Sequence, residues 1–232
     1  MSNLVTATRP VRTGPRLKLV VTPQADSAIS QCCPYLEASE AAAAIGIDPR
    51  KPQRDLWHCK TLQIPHTGKP EECDATTATN ARYWRNLLEP LVASVYTKRS
   101  GNALRRINQL ACHPDHPWMQ ARMEWEVVGN PGVNLMRYVN VGGQEAEDWS
   151  QGLPMHERVN ALHLLAVTGK QAVDLAVLIC GRELKIYTVR RDEPLIERVM
   201  KLEFLFWRCV DRNEPLPSEG LRSPIVLRSA QD

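Results

Sequence analysis

The sequence predicts an α/β or α+β fold in which a central mixed sheet is flanked by helices. Three observations support this prediction: apolar residues at helical spacing over 80–99, a glycine-proline turn between two β-rich segments near residue 130, and a second pair of short strands ahead of a long amphipathic helix. Hydrophobic residues make up 43% and charged residues 24% of the chain, which excludes an intrinsically disordered protein.

Two short helices are predicted near the start of the folded domain. Residues 36–46 are rich in alanine, and Ser39 is placed to cap the helix that they form. A second helix is predicted over 53–60. The polar stretch that follows, 63–79, contains prolines and a glycine and predicts a loop.

A longer helix is predicted from about Asn80 to Arg99. Its apolar side chains fall on one arc at helical spacing, so we expect this arc to face the core. Glu89 lies beside the arc. The arc consists of Trp84, Leu87, Leu88, Leu91, Val92 and Val95.

The second half of the chain combines strands with helices. Alternating or β-branched residues on both sides of Gly129-Asn-Pro-Gly132 predict a hairpin. Asp192 is placed as the N-cap of a last helix that extends to about Val210. The predicted ranges are strands over 121–128 and 133–141, a helix over 156–168, and strands over 173–180 and 183–189.

The net charge is only +3, but the charged residues are distributed unevenly along the chain. Residues 1–28 predict a flexible basic arm, which either lies along phosphates or is a solvated tail without a ligand. The domain is predicted over 29–213 and a loose tail over 214–232. The sequence has no apolar run of membrane-spanning length and no cysteine spacing for zinc or a disulfide framework, which predicts a cytoplasmic protein.

A second basic cluster follows the predicted long helix and consists of Lys98, Arg99, Arg105 and Arg106. These cations are candidates for contacts with DNA phosphates. The alternative is an ordinary solvated helix end, because cations complement the negative end of the helix dipole.

Several stretches of the sequence together form a family pattern. They are Ser39-Glu-Ala-Ala-Ala-Ala-Ile-Gly-Ile-Asp-Pro-Arg-Lys51 followed by Asp55-Leu-Trp57, Asn86-Leu-Leu-Glu-Pro-Leu-Val-Ala93, His116-Pro-Trp-Met-Gln-Ala-Arg-Met-Glu124, and Ala176-Val-Leu-Ile-Cys-Gly-Arg-Glu-Leu-Lys-Ile-Tyr187. This pattern resembles the YqaJ-like viral recombinases, which are phage nucleases similar to lambda exonuclease. The resemblance implies a restriction-endonuclease-like fold of the PD-(D/E)XK type and Mg²⁺-dependent cleavage of DNA, which requires clustered carboxylates.

The catalytic positions of the family are only partly retained. Glu89 matches the family's helix glutamate, whereas the family's aspartate, normally followed by glycine, aligns with Glu124, which is followed by Trp125. The family's Glu-x-Lys pair aligns best with Leu135-Met136-Arg137, and leucine offers no oxygen to a metal. The resemblance therefore implies relic catalytic positions at Glu89, Glu124 and Arg137, with no metal or other cofactor. Mg²⁺ is expected only if an active enzyme has relocated a ligand.

Arg85 stands where the family has a glycine before the helix glutamate. We hypothesise that its cation occupies the place of Mg²⁺ and neutralises Glu89 and Glu124. This hypothesis fails if Arg85 points to solvent. With Ser39 and the second basic cluster, Arg85 completes the set of candidate DNA-contact residues.

Three functions follow from these expectations. The first is a nuclease-fold protein that has lost cleavage and binds double- or single-stranded DNA. The second is a modulator that docks on a recombination or defence protein or on a host nuclease. The third is an active Mg²⁺-dependent exonuclease. Homo-oligomers are known among relatives of this fold, so self-association is a further expectation.

Overall fold

The computed structural model describes residues 35–61, 75–130, 132–143 and 145–217. The predicted basic arm, residues 1–28, and most of the predicted C-terminal tail lie outside these ranges. Within them, no helix combines the length and the hydropathy that a membrane span requires.

The described residues form one six-stranded mixed sheet with helices on both faces, which confirms the predicted fold class. The order β1-β3-β4-β5-β6 runs along one path, and β2 pairs with the other edge of β3. The β1–β3 and β4–β5 pairs are parallel, and the other pairs are antiparallel. The strands are β1 Leu36–Glu37, β2 Ala103–Cys112, β3 Met119–Val128, β4 Leu135–Val141, β5 Ala172–Ile179 and β6 Glu183–Arg190; the helices are α1 Ala41–Ala44, α2 Gln53–Thr61, α3 Ala75–Ser100, α4 Met155–Thr168 and α5 Glu193–Asp211.

The two faces of the sheet have separate cores. On one face, Leu135 and Leu175 pack with residues of α1, α4 and α5. On the other face, Met136 and Tyr138 pack against α3. Because side chains alternate along a strand, β4 divides its residues between these two cores.

The C-terminal half matches its predictions closely. The predicted helix over 156–168 corresponds to α4, and the strands over 173–180 and 183–189 correspond to the antiparallel pair β5 and β6. Asp192 caps α5 as expected, since its Oδ1 accepts a hydrogen bond from Leu195 N at 3.1 Å.

The N-terminal predictions need correction. Residues 36–46 are not one helix: they form β1, a 3-10 turn over Ala38–Glu40 and the four-residue helix α1. Ser39 is not the N-cap, because Glu37 precedes the 3-10 turn in an extended conformation. The alanines of α1 are completely buried, so the tight packing around them, rather than helix propensity alone, explains their small size.

The predicted loop over 63–79 is also wrong at its end, because α3 begins at Ala75. A larger error concerns β2, a ten-residue strand that the sequence did not predict. It pairs with β3 on one edge, and many of its side chains are exposed, so the strand lacks an apolar alternation.

The predicted inner arc of α3 is right for three of its six residues. The exposed members are Trp84, Leu87 and Leu91, whereas the members that pack against the sheet are Leu88, Val92 and Val95. Helical spacing alone does not distinguish two apolar arcs that lie side by side on one helix. The face that packs on the sheet includes Glu89, which the sequence placed beside the core.

Candidate functional site

The strands β1 and β4 pair with the same edge of β3 at different positions, and we call the gap between them the fork. This fork creates the cleft that forms the candidate site. On one edge of β3, Leu36 of β1 pairs with Met119, and further along Leu135 of β4 pairs with Glu126. Between these two contacts, residues 121–124 have no partner on this edge among the described strands. The gap opens the sheet toward α3.

A β-bulge aims two consecutive side chains of β3 at α3. Ile107 and Asn108 of β2 stand opposite the single residue Glu124, and Asn108 has a left-handed φ of 42°. Neighbours on a regular strand point to opposite faces. Here both Glu124 and Trp125 contact side chains of α3, which brings a carboxylate and an indole into the same site.

The cleft has a volume of about 250 Å³ and is mostly lined by charged side chains. Its lining residues come from β1 and the 3-10 turn, α3, β3 and β4, and they are Glu37, Ala38, Ser39, Arg85, Arg122, Glu124 and Arg137. Ser39, Arg85, Glu124 and Arg137 were all predicted as site residues. Arg122 was not, because only the fork shows that this residue of β3 faces the cleft.

Arg85 forms the central ion pair of the cleft. Its Nη2 donates to Oε1 of Glu124 at 2.5 Å. The second oxygen of Glu124 accepts from the backbone N of Tyr138 at 3.4 Å, and the guanidinium of Arg85 lies 5.9 Å from the centroid of the Tyr138 ring. The Arg85 side chain is 42% exposed, but its guanidinium contacts Glu124 and so neutralises it.

Glu89 is not paired with Arg85, which differs from the hypothesis. Its Oε1 accepts from Nε1 of Trp125 at 2.8 Å, and its Oε2 lies 3.6 Å from Nη2 of Arg106. The carboxylate is buried, so these two groups replace its water contacts. Arg106 also lies over the Trp125 ring at 5.7 Å, which joins the three side chains into one cluster.

The two residues aligned with the family's Glu-x-Lys pair differ in placement. Leu135 packs in the core on the α4 side of the sheet, whereas Arg137 lines the cleft. The β4 residues packed toward α3 are Met136 and Tyr138. The strand β4 contains no aspartate or glutamate, so it supplies no carboxylate to the site.

These residues do not fit a Mg²⁺ site. The two nearby carboxylates, Glu89 and Glu124, are each held by an arginine and by a further hydrogen-bond donor. Across the four described ranges, no group of three or more His, Cys, Asp and Glu side chains has a geometry that would hold a metal ion. An arginine cation near each carboxylate opposes the binding of a second cation.

The remaining predicted DNA contacts are dispersed. Lys98 is exposed, and Arg99 donates to the carbonyl of Leu184 at 2.6 Å. Arg105 is paired with Glu126. Arg105 and Arg106 also line a second cavity of about 410 Å³ together with Lys170. The predicted basic cluster is therefore divided between this second cavity and the contact of Arg106 with Glu89.

The family motifs at 39–51 form part of the frame around the cleft. Ala42 N donates to Oδ1 of Asn160 on α4 at 3.0 Å, and Arg50 pairs with Glu157 on the same helix at 3.2 Å. These contacts attach the segment that carries Ser39 to α4. The motif therefore positions one wall of the cleft.

Comparison with known proteins agrees with this architecture. The family model of the YqaJ-like viral recombinase domain matches residues 33–171. The chain belongs to this family. A curated relative of this YqaJ-like chain, the uncharacterized protein YqaJ of Bacillus subtilis (strain 168), is 28% identical over 172 residues, which are 73% of this chain and 51% of that protein. The chain thus spans about half the length of the curated relative that it matches.

Solved structures of exonucleases resemble the YqaJ-like fold. The alkaline exonuclease LHK-Exo of Laribacter hongkongensis matches with a TM-score of 0.59 and 18% identity, over 78% of this chain and 89% of that one. A phage-related exonuclease from Haemophilus somnus 129PT matches with a TM-score of 0.54 and 9% identity, over 77% and 94%. At these identities the likeness shows the fold alone, and it agrees with the predicted restriction-endonuclease-like architecture.

Proposed function

We propose that this YqaJ-like protein binds DNA through the arginines of its cleft and does not cleave it. The observation that carries the proposal is the 2.5 Å ion pair between Arg85 and Glu124. A guanidinium bound to this carboxylate supplies the positive charge that a metal ion supplies in a nuclease. Unlike Mg²⁺, it cannot activate a water molecule as a nucleophile.

The charge of the cleft supports a phosphate ligand. The cleft is lined by three arginines, Arg85, Arg122 and Arg137, and by two carboxylates, Glu37 and Glu124. Arg85 is already paired, and among the described residues neither Arg122 nor Arg137 forms an ion pair with a carboxylate. Planar guanidinium groups match phosphate oxygens in charge and geometry.

The relatives support DNA as the ligand class. The two solved structures are described as exonucleases, and LHK-Exo has also been solved in complex with dAMP. We carry over only the nucleic-acid ligand, because the carboxylate cluster that Mg²⁺-dependent cleavage requires has no counterpart on β4.

DNA binding in EDTA tests this proposal. We expect fluorescence anisotropy to detect binding of a labelled oligonucleotide, with log affinity falling linearly as log salt concentration rises from roughly 50 to 200 mM. EDTA should not weaken binding, since no metal takes part. Binding that requires Mg²⁺, or an affinity for DNA that salt leaves unchanged, would contradict the proposal.

A further inference from the structure

An exposed apolar stripe runs along the part of α3 that carries Arg85. Its side chains occur at positions that lie on one side of the helix over about two turns. The exposed fractions are 61% for Tyr83, 54% for Trp84, 53% for Leu87 and 60% for Leu91. No described residue covers this stripe, although the other face of α3 packs on the sheet.

Trp84 is the member of this stripe that lies nearest to Arg85 around the helix. Trp84 directly precedes Arg85, and one residue of a helix turns the side chain by about 100°. Arg85 is fixed in the cleft by Glu124, so Trp84 lies beside the cleft rather than inside it. A DNA strand that leaves the cleft over Arg85 therefore reaches Trp84 by a path of roughly 10 Å around the helix, which is within the span of two nucleotides.

Trp84 is available for stacking, whereas the other tryptophans are already engaged. Trp118 stacks on Trp207 with ring centroids 5.4 Å apart and planes at 10°, Trp125 donates to Glu89, and Trp149 is buried. Trp57 is partly buried and donates to the carbonyl of Cys209 at 3.4 Å. Tyr83 contacts Trp84 edge-on, with centroids 5.6 Å apart and planes at 78°, which supports the indole from one side.

We infer that Trp84 and Tyr83 form a stacking platform for the bases of single-stranded DNA whose phosphates lie in the arginine cleft. This inference rests on the proposed function. Aromatic rings beside cations are the usual composition of single-strand binding grooves. The bases of a duplex already stack on each other, so the platform favours single strands.

The charge near the stripe favours DNA over an apolar protein partner. The cleft beside Arg85 is lined by three arginines and only two carboxylates. The adjacent positive cleft also suits a polyanion, and the stripe lies beside it rather than at its centre.

Equilibrium binding in EDTA tests the platform with two labelled probes: an oligothymidylate of about ten nucleotides and a backbone of the same length with abasic sites. Trp84→Leu keeps an apolar side chain but removes the aromatic face, and Trp84→Phe restores one. We expect Trp84→Leu to weaken binding of the oligothymidylate by about 5- to 100-fold and to leave binding of the abasic probe unchanged. Trp84→Phe should stay within a few-fold of wild type, and so should the control Leu91→Ala.

The outcomes separate this inference from the proposed function. If wild type binds both probes equally, or if Trp84→Leu leaves oligothymidylate binding unchanged, the inference of a stacking platform is wrong. The proposal that the cleft binds phosphates is not contradicted by either result. If neither probe shows salt-sensitive binding, the proposed function itself fails. If sedimentation velocity shows self-association of wild type that Trp84→Leu abolishes, the stripe is a protein interface and the inference is overturned.

Discussion

The variant His163→Leu is expected to lower the free energy of unfolding by about 3–5 kcal/mol, because it leaves Glu203 as an uncompensated buried carboxylate. In the native protein, Nδ1 of His163 lies 2.9 Å from Oε1 of Glu203, and both side chains are fully buried. The second oxygen of Glu203 has no hydrogen-bond partner among the described residues. Loss of the histidine therefore removes the group that compensates this carboxylate.

The same histidine also supports the wall of the cleft. Its Nε2 lies 3.2 Å from the backbone oxygen of Gln120, and Gln120 is paired with Glu37 of β1. A variant that loosens this contact loosens the strand on which the fork begins. We therefore expect the loss of stability to be accompanied by greater protease sensitivity near β1.

Urea denaturation measures this effect, with two matched variants as controls. Glu203→Gln keeps a polar partner for His163 and should cost less than His163→Leu. The double variant His163→Leu/Glu203→Leu removes both polar groups and should recover most of the lost stability. If His163→Leu stays within about 1 kcal/mol of wild type, or if the double variant is no more stable than His163→Leu, this account of the pair is wrong.

The double variant Arg122→Ala/Arg137→Ala is expected to weaken DNA binding in EDTA by about 10- to 100-fold at moderate salt. Each arginine that contacts a phosphate also contributes about one to the slope of log affinity against log salt, so the slope should fall by about two. Neither side chain forms an ion pair with a carboxylate among the described residues, and we therefore expect the fold to tolerate both substitutions.

The matched control for the cleft arginines is Arg182→Ala/Arg198→Ala. These two arginines are exposed and lie outside the cleft, at the β5–β6 turn and on α5. This control lowers the net charge by the same amount, and we expect it to change affinity only slightly. Equal losses in the two double variants would mean that binding depends on net charge, and the cleft would then not be the binding site.

The sequence predicted best those elements whose local signals agree with their packing. The segment from α4 to α5 has a buried strand, a Gly-Arg turn and an N-cap at Asp192, and all of these have the expected positions. β2 was missed because an exposed edge strand does not need apolar alternation. The inner face of α3 was predicted only in part, because its exposed apolar stripe has the same helical spacing as the buried residues next to it.

The candidate site was predictable only in part for a similar reason. Family alignment identified Arg85 and Glu124, and their ion pair agrees with the hypothesis of a cation next to the old carboxylate. It did not reveal that Trp125 and Arg106 hold Glu89, because these contacts depend on a bulge and on the unpredicted strand β2. Contacts between residues far apart in sequence require the register of the sheet.

Digestion of a linear DNA duplex tests whether Arg85 replaces the metal in this YqaJ-like cleft. Wild-type protein is incubated with the duplex and Mg²⁺ or Mn²⁺, beside Glu89→Ala purified in the same way. We predict that the duplex stays intact with both proteins, because no carboxylate cluster in the described part of the chain holds the metal. Metal-dependent digestion by wild type that disappears in Glu89→Ala would contradict the claim and show that the chain is an active nuclease.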